Sequence, residues 1–295
     1  MYSFLVLMDL EGIIGVTDLR KKSQNERLLV RQLKNTVECI KKYSSGSIVA
    51  CLIHDNGSMN LEVFFREEKI KIAYGIEAFK EISADYALLI GFHSKSGGKG
   101  RFPHSFRTEI NKITVENKEV GEVFLFSDYL EKRGTKVIFA SGEGDFEDEL
   151  RAFNARIYTG SDEEEYVKII GRTLSTTCDG VRKPSTEDRM VRVYMNNTDY
   201  YEYLKGRFNI SDGCIEFPST EFFFENIIDL CIWINKAKGE IHNKNAQIVD
   251  ILREYRDLEI IKRIGDEYLR KDIELFCEFD RERIKELISY EKKTY

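Results

Sequence analysis

The side chains able to bind a divalent cation or move a proton fall at a few places in this chain. Asp9 and Glu11 stand two residues apart, directly after the apolar run 2–8. In extended chain, residues i and i+2 project to the same side, so these carboxylates can converge on one point. The chain has four histidines, His54, His93, His104 and His242. His54 follows a second apolar run (47–53), His93 follows another (86–92), and His104 closes the glycine-rich stretch after that. Asp55, Glu122 and Glu143 complete a cluster of hard and borderline ligands near the ends of such runs. Imidazole with carboxylate suits zinc, and a catalytic zinc leaves one position open. Two zincs bridged by a carboxylate, with a shared water as nucleophile, are common in hydrolases. A single loop histidine reads as a surface residue; the joint position at strand ends is what makes the group a candidate centre. Ser58, Ser94 and Ser141 are hydroxyl candidates, but no G-x-S-x-G elbow surrounds them. A cysteine nucleophile is equally unsupported.

Those residues need elements to hold them. The runs 2–8, 47–53, 70–74, 86–92 and 136–140 read as strands, mostly apolar throughout and therefore buried on both faces. Amphipathic spacing predicts helices over 24–43 and 163–175, with shorter helical pieces at 76–83 and 127–133. Residues 109–126 alternate as a hairpin that turns at Asn117-Lys118 and places Glu122 in its return segment. A carboxylate there is costly unless paired or bound to a cation. Further on, 190–195 and 215–219 read as strands and Thr220 to about Lys238 as a helix. Residues 240–295 read as two or three surface helices that pack on the main body or on another subunit. Strands alternating with helices indicate an α/β fold.

The glycine-rich stretch 94–101 invites comparison with a phosphate-binding loop. That motif needs glycine where His93 stands and Ser or Thr where Gly100 stands, so the stretch reads as a flexible basic flap or a surface loop. Lys95, Lys99 and Arg101 there are candidates for steering a peptide carboxylate, against plain solvated charge. A net charge of −6 gives no footprint for nucleic acid, and no apolar run reaches 18 residues, so no membrane span is expected. Residue 1 leads straight into a strand without a charged leader, and the six cysteines form no C-x-x-C pair. Both point to a cytoplasmic protein with reduced thiols.

The segment Met8-Asp9-Leu10-Glu11-Gly12-Ile13-Ile14-Gly15-Val16-Thr17-Asp18 resembles the opening S-x-D-x-E-G signature of the D-aminopeptidase family, peptidase family M55. Further segments follow in order. Gly57-Ser58-Met59 and Asn60-Leu61 resemble the family's stretch after its second strand. Ile90-Gly91-Phe92-His93 resembles its I-G-Y-H, with His104 as the second histidine of that region. Asn117 to Glu122 resembles its N-G-x-x-x-G-E hairpin, and Ser141-Gly142-Glu143 its S-G-D. The match holds over about residues 1–150 and more weakly to about 238.

The resemblance implies metal ligands at Asp9, Glu11, His93 and Glu122, with Asp9 the natural bridge and His104 in the catalytic role. It implies a three-layer α/β/α fold with a mostly parallel or mixed central sheet. On that pattern residues 1–185 form the metal-site domain, 186–239 a smaller α+β region, and 240–295 a helical extension. It also implies one or two zinc ions, short peptides or other small amides as substrates, and a ring-like homo-oligomer, a decamer in the family. One position departs: the family's second-strand metal histidine is Asn56 here, a weak zinc ligand. Asn56 itself, His54 or Asp55 would have to complete that position; His54 shares its side only if the chain stays extended. Milder departures are Leu7 for the motif serine and Glu143 for the S-G-D acid. The expected function is a zinc-dependent aminopeptidase, and the alternative is a drifted or inactive oligomeric homologue that binds one metal or a small ligand.

Overall fold

The computed structural model describes residues 2–57, 59, 61–65, 70–176 and 188–254, with side chains described as far as 242 and that of Asn56 excepted. Its first strand, β1 (Phe4–Met8), is buried at every residue, as the unbroken apolar run requires. The helix α1 (Lys22–Tyr43) follows, then β2 (Ile48–Leu52), β3 (Ile70–Tyr74), the short α2 (Gly75–Lys80) and β4 (Tyr86–Phe92). A hairpin of β5 (Ile110–Val115) and β6 (Lys118–Val120) leads into α3 (Glu122–Lys132), β7 (Lys136–Gly142), α4 (Glu147–Leu150), β8 (Arg156–Tyr158) and α5 (Glu163–Thr176).

Six of these strands form one sheet in the order β3-β2-β1-β4-β7-β8, parallel at every pairing. On one face Val6 and Met8 pack against Leu29, Leu33 and Val37 of α1 and against Tyr166 and Ile170 of α5. On the other, Phe126 of α3 meets Phe79 of α2 and Phe92 of β4, with ring centroids 5.1 and 5.8 Å apart. The result is the expected three-layer α/β/α arrangement, with a parallel sheet. From β1 the chain steps outward through β2 and β3; from β4 it steps outward the other way through β7 and β8. The order therefore reverses between β1 and β4, and open α/β sheets bind ligands outside the carboxyl ends of strands at such a reversal. Asp9 and His93 sit immediately beyond those two strand ends.

Two local expectations are corrected. Positive φ falls on Glu116 (49°) and Asn117 (66°), so these form the hairpin turn, and Lys118 already belongs to β6. Paired positive φ at the two central residues is the turn whose twist suits a tight hairpin. The return strand also stops at Val120, and Glu122 opens a helix that starts five residues before the predicted 127. Val123, Phe124, Leu125, Phe126, Tyr129 and Leu130 are all buried in that helix. A short apolar run buried on all sides carries no period that separates strand from helix.

The chain divides into two compact units, residues 1–192 with 217–225, and residues 193–216 with those from 226 onward. The six-stranded sheet lies wholly in the first. Later elements are β9 (Val191–Met195), α6 (Asp199–Leu204), the antiparallel pair β10 (Ile210–Ser211) and β11 (Cys214–Phe217), and α7 (Thr220–Glu254). Within the second unit the Arg207 guanidinium lies 3.6 Å from the centre of the Trp233 ring. The helix α7 runs on past Lys238 to Glu254, so no break occurs at 239–240. The further helices expected beyond 254 lie outside the described residues, as do Ser58, Asn60, Cys178 and Cys277. No helix among the described residues is long and apolar enough to cross a membrane.

Candidate metal centre

The Asp9 amide donates to Ile90 O at 2.9 Å, extending the β1–β4 ladder by one residue. The next amide, of Leu10, donates to Asp9 Oδ1 at 2.9 Å and to Glu11 Oε2 at 3.3 Å. One backbone N–H thus draws both carboxylates to the same side. Both are buried, at 4% exposure each.

At the end of β2 the chain does not stay extended. Residues His54–Asn56 form a 3-10 turn with Asp55 at φ 44° and Gly57 at φ 90°. His54 reaches the carboxylates from within that turn: its Nδ1 lies 2.9 Å from Glu11 Oε2 and 3.4 Å from Asp9 Oδ1. The Asp55 side chain remains outside, 76% exposed.

His93 follows β4 directly and is 2% exposed. Its Nδ1–H donates to Ser94 O at 2.9 Å. That leaves Nε2 facing Asp9 Oδ2 at 3.3 Å and Glu122 Oε1 at 3.5 Å. His104 repeats the device: Nδ1–H donates to Phe102 O at 2.9 Å, and Nε2 stands 3.9 Å from Glu11 Oε1. The two rings stack, with centroids 4.1 Å apart and planes 8° from parallel. Glu122, the first residue of α3, also accepts the Phe106 amide at 2.6 Å through Oε1.

Three sets of donors emerge, each with its ligand atoms within 4.8 Å of one another: Asp9–His93–Glu122, Asp9–Glu11–His54 and Glu11–His93–His104. Asp9 belongs to the first two, turning Oδ2 to His93 and Oδ1 to His54. Oδ2 is buried without a well-formed hydrogen bond, facing His93 Nε2 at 3.3 Å. A buried carboxylate oxygen so poorly satisfied is costly, and a cation relieves it. Histidines whose second ring nitrogen is held by a carbonyl are oriented as metal ligands are. Mixed carboxylate and imidazole donors suit a divalent ion such as zinc. The residues therefore fit a metal.

The electrostatics agree. Burial opposes charge on Asp9, yet the hydrogen bonds and charges of His54 and His93 hold it well below the usual carboxylate range. Burial, reinforced by the Asp9 charge, pushes Glu11 up. Burial also opposes charge on His54, but Asp9 and Glu11 carry it up to about 10. His93 is raised in the same sense, with Asp9 and Glu122 overcoming its burial. Chelator-treated protein should therefore lose stability as alkali is added. A folded-state value above the unfolded 6.5 gives a contribution that is complete below about pH 6.5 and lost as pH climbs toward about 10. Zinc must displace the same protons, so its apparent affinity should rise over that window. Urea midpoints of metal-free protein and zinc competition titrations at about pH 6.5 and about pH 9.5 check both signs.

Several candidates do not join these sets. Glu143 accepts the Arg101 amide at 2.6 Å and the Phe102 amide at 3.3 Å, and it pairs with the Arg101 guanidinium at 3.1 Å. Asp145 accepts the Lys99 amide at 3.1 Å. The Ser94 hydroxyl donates to Lys99 O at 2.7 Å and accepts the Asp145 amide at 3.0 Å. A Cβ at Gly98 or Gly100 would stand 2.7 Å from Asp145 Oδ1 or 2.9 Å from Glu143 Oε1. The glycines thus let residues 94–104 lie against two anchoring carboxylates; the stretch is tied down along its length and is no free flap. Lys95 faces Glu149, 3.9 Å away, so the Lys95 and Arg101 charges, candidates for steering substrate or for plain solvated charge, are matched internally. Ser141 is buried against Gln32, and His242 is exposed on α7. Glu149 was not legible as a contributor, because Glu147-Asp148-Glu149 reads as a solvated acidic run. It is 3% exposed and accepts the Gly121 amide, which steadies the residue before Glu122.

A sequence model of the D-aminopeptidase family matches residues 3–176. The chain belongs to the D-aminopeptidase family. The family match spans the whole six-stranded sheet and contains Asp9, Glu11, His54, His93, His104 and Glu122. No curated protein matches the chain by sequence. Among solved structures this D-aminopeptidase relative is similar to the Zn-dependent D-aminopeptidase DppA from Bacillus subtilis, described as a self-compartmentalizing protease. That likeness has a TM-score of 0.66 at 14% identity and covers 80% of this chain and 98% of the other. At so low an identity it establishes the shared fold of the D-aminopeptidase family, as the resemblance implied.

Proposed function

We propose that this chain is a zinc-dependent aminopeptidase that removes the N-terminal residue from short peptides, working as a cytoplasmic homo-oligomer. The observation that carries the reading is Asp9, buried between two donor sets with one oxygen turned to each. Asp9, Glu122 and His93 would hold one ion, and Asp9, Glu11 and His54 a second. His54 stands in its set without help from Asn56, which answers the departure at that position. Bound zinc supplies a Lewis acid for the scissile carbonyl and lowers the pKa of water. The protein's own contribution is positional. Carbonyl anchors fix the ring faces of His93 and His104, and burial keeps bulk water from the carboxylates. His104, with its side chain 22% exposed and Nε2 free of the Phe102 anchor, would carry a proton to the departing amine or stabilise the developing oxyanion. The self-compartmentalizing description of the structural relative supports assembly of several copies.

Metal analysis with peptide assays tests this. One or two zincs per chain are expected, with hydrolysis of D- or L-alanyl peptides. His104→Ala should lower kcat by about 10²- to 10⁴-fold while zinc content holds. Protein that stays metal-free and inert toward both enantiomers with zinc supplied would overturn the reading. That outcome would favour a drifted homologue binding one metal or a small ligand, the alternative that Asn56 suggests.

A further inference from the structure

A cleft of about 510 Å³ opens beside the donor sets, where Glu11, His54 and His104 border it. That volume lies within the range of sites that bury small ligands, and it suits a short peptide. Away from those groups its wall is apolar, built from Leu19, Met59, Phe102 and Pro103. Leu19, Met59 and Phe102 pack on the main core cluster beneath them. The wall is therefore backed by the fold and keeps its shape, while the unbranched Met59 can adjust to what it meets.

The polar lining has its own bias. Glu26, in the second turn of α1, is half-buried and lines the cleft. Among the described residues it has no hydrogen bond or ion pair, so its carboxylate is available to a ligand. Asp55 adds to the acidic side, Glu11 being taken up by His54 and its donor set, and Lys22 is the one lysine or arginine of the lining among the described residues. Such a surface attracts an ammonium group and repels an anionic side chain. Apolar side chains gain from the wall, because burial of apolar area against it removes that area from water.

We infer that the cleft selects peptides whose N-terminal residue carries an apolar side chain larger than a methyl group, with Glu26 receiving the terminal ammonium. This rests on the aminopeptidase reading, since it takes the free amino end of a peptide as the group presented to the cleft. Leu19, Met59 and Phe102 are then the residues that set side-chain preference, and Glu26 sets the requirement for a free amine.

Binding of small amides separates this inference from the catalytic one. The full-length protein, supplied with zinc, is titrated calorimetrically with leucinamide, alaninamide and 4-methylpentanamide, using both enantiomers of the first two. Leucinamide should bind at least about tenfold more tightly than alaninamide, the size of effect that a few methylenes bring in an apolar pocket. It should also bind more tightly than 4-methylpentanamide, which has the same apolar body without the amine. Met59→Thr should shrink the leucinamide-to-alaninamide ratio to within about threefold, and Leu19→Asn gives an independent second variant. Glu26→Gln should abolish the advantage of leucinamide over 4-methylpentanamide and leave the affinity of the latter in place. Equal binding of leucinamide and alaninamide, or binding of none of the three, overturns the inference whatever the peptidase assay shows. Selective leucinamide binding by a protein that cleaves no peptide upholds it and overturns the peptidase reading alone.

Discussion

Asp9→Asn is expected to empty both donor sets together and to lower peptide hydrolysis by about 10³-fold or more. The substitution keeps the shape of the side chain, and the Leu10 amide can still find an acceptor at that position. What it removes is one negative charge from a buried cluster, and with it the oxygen pair that faces His54 on one side and His93 on the other. Loss of several kcal/mol of Lewis-acid stabilisation corresponds to three or more decades in rate. The comparison that gives the result meaning is His54→Ala beside Glu122→Gln. Each touches a single set, so each should lower zinc content by part of what Asp9→Asn removes. Zinc per chain and initial rates on alanyl peptides read all three. An Asp9→Asn protein with the zinc content of the parent would show that the carboxylate is not shared.

Gly142→Ala should cost about 3 kcal/mol or more of stability, a loss readable as a lower urea midpoint. A Cβ at Gly142 would stand 1.9 Å from Phe92 O, and one at Gly12 would stand 1.8 Å from the same oxygen. The obstacle is backbone, so no side-chain rotation relieves it. The Gly12 amide donates to Gly91 O at 2.8 Å and the Glu143 amide to Phe92 O at 3.0 Å, so the ends of β1, β4 and β7 are drawn together at two consecutive carbonyls. Pushing them apart displaces His93, the next residue, and zinc affinity should fall with stability. Gly97→Ala supplies the contrast. Gly97 has φ 74° with nothing within 4 Å of a built Cβ, so its substitution should cost only about 1 kcal/mol, from the left-handed backbone. Equal stability of the Gly142→Ala and parent proteins would refute the clasp.

Gly12 and Gly142 also show what a sequence can and cannot convey. Both lie inside the motifs that carried the family resemblance, yet neither motif states that they crowd the same carbonyl. Five of the six strands of the sheet were legible because a short unbroken apolar run, closed by polar residues and glycine, suits a strand buried on both faces; the three-residue β8 (Arg156–Tyr158) offers no such run. The start of α3 was not, since a buried helical turn and a buried strand present the same run of Val, Phe and Leu. Asp9, Glu11, His93 and Glu122 were named from motif order, and the structure brings them together. His54 was legible only as a residue type near a strand end. Its approach depends on a 3-10 turn with Asp55 in the left-handed region, a conformation that the i and i+2 argument for extended chain does not reach. Glu143 was misplaced for the opposite reason: a carboxylate after a strand end looks like a ligand whether it meets a metal or a loop amide.

The position of β1 has a consequence for how the molecule comes into being. Both of its neighbours in the sheet, β2 and β4, are encoded later in the chain, and Glu122 later still. A growing chain holds the Asp9 and Glu11 carboxylates from the start but has no imidazole to set against them until residues 54 and 93 have been made. Parallel pairings of this reach form slowly compared with local contacts. Chains that end before residue 122 would thus carry the two acids without all their partners, and a complete set of donors is present only once synthesis has passed that point.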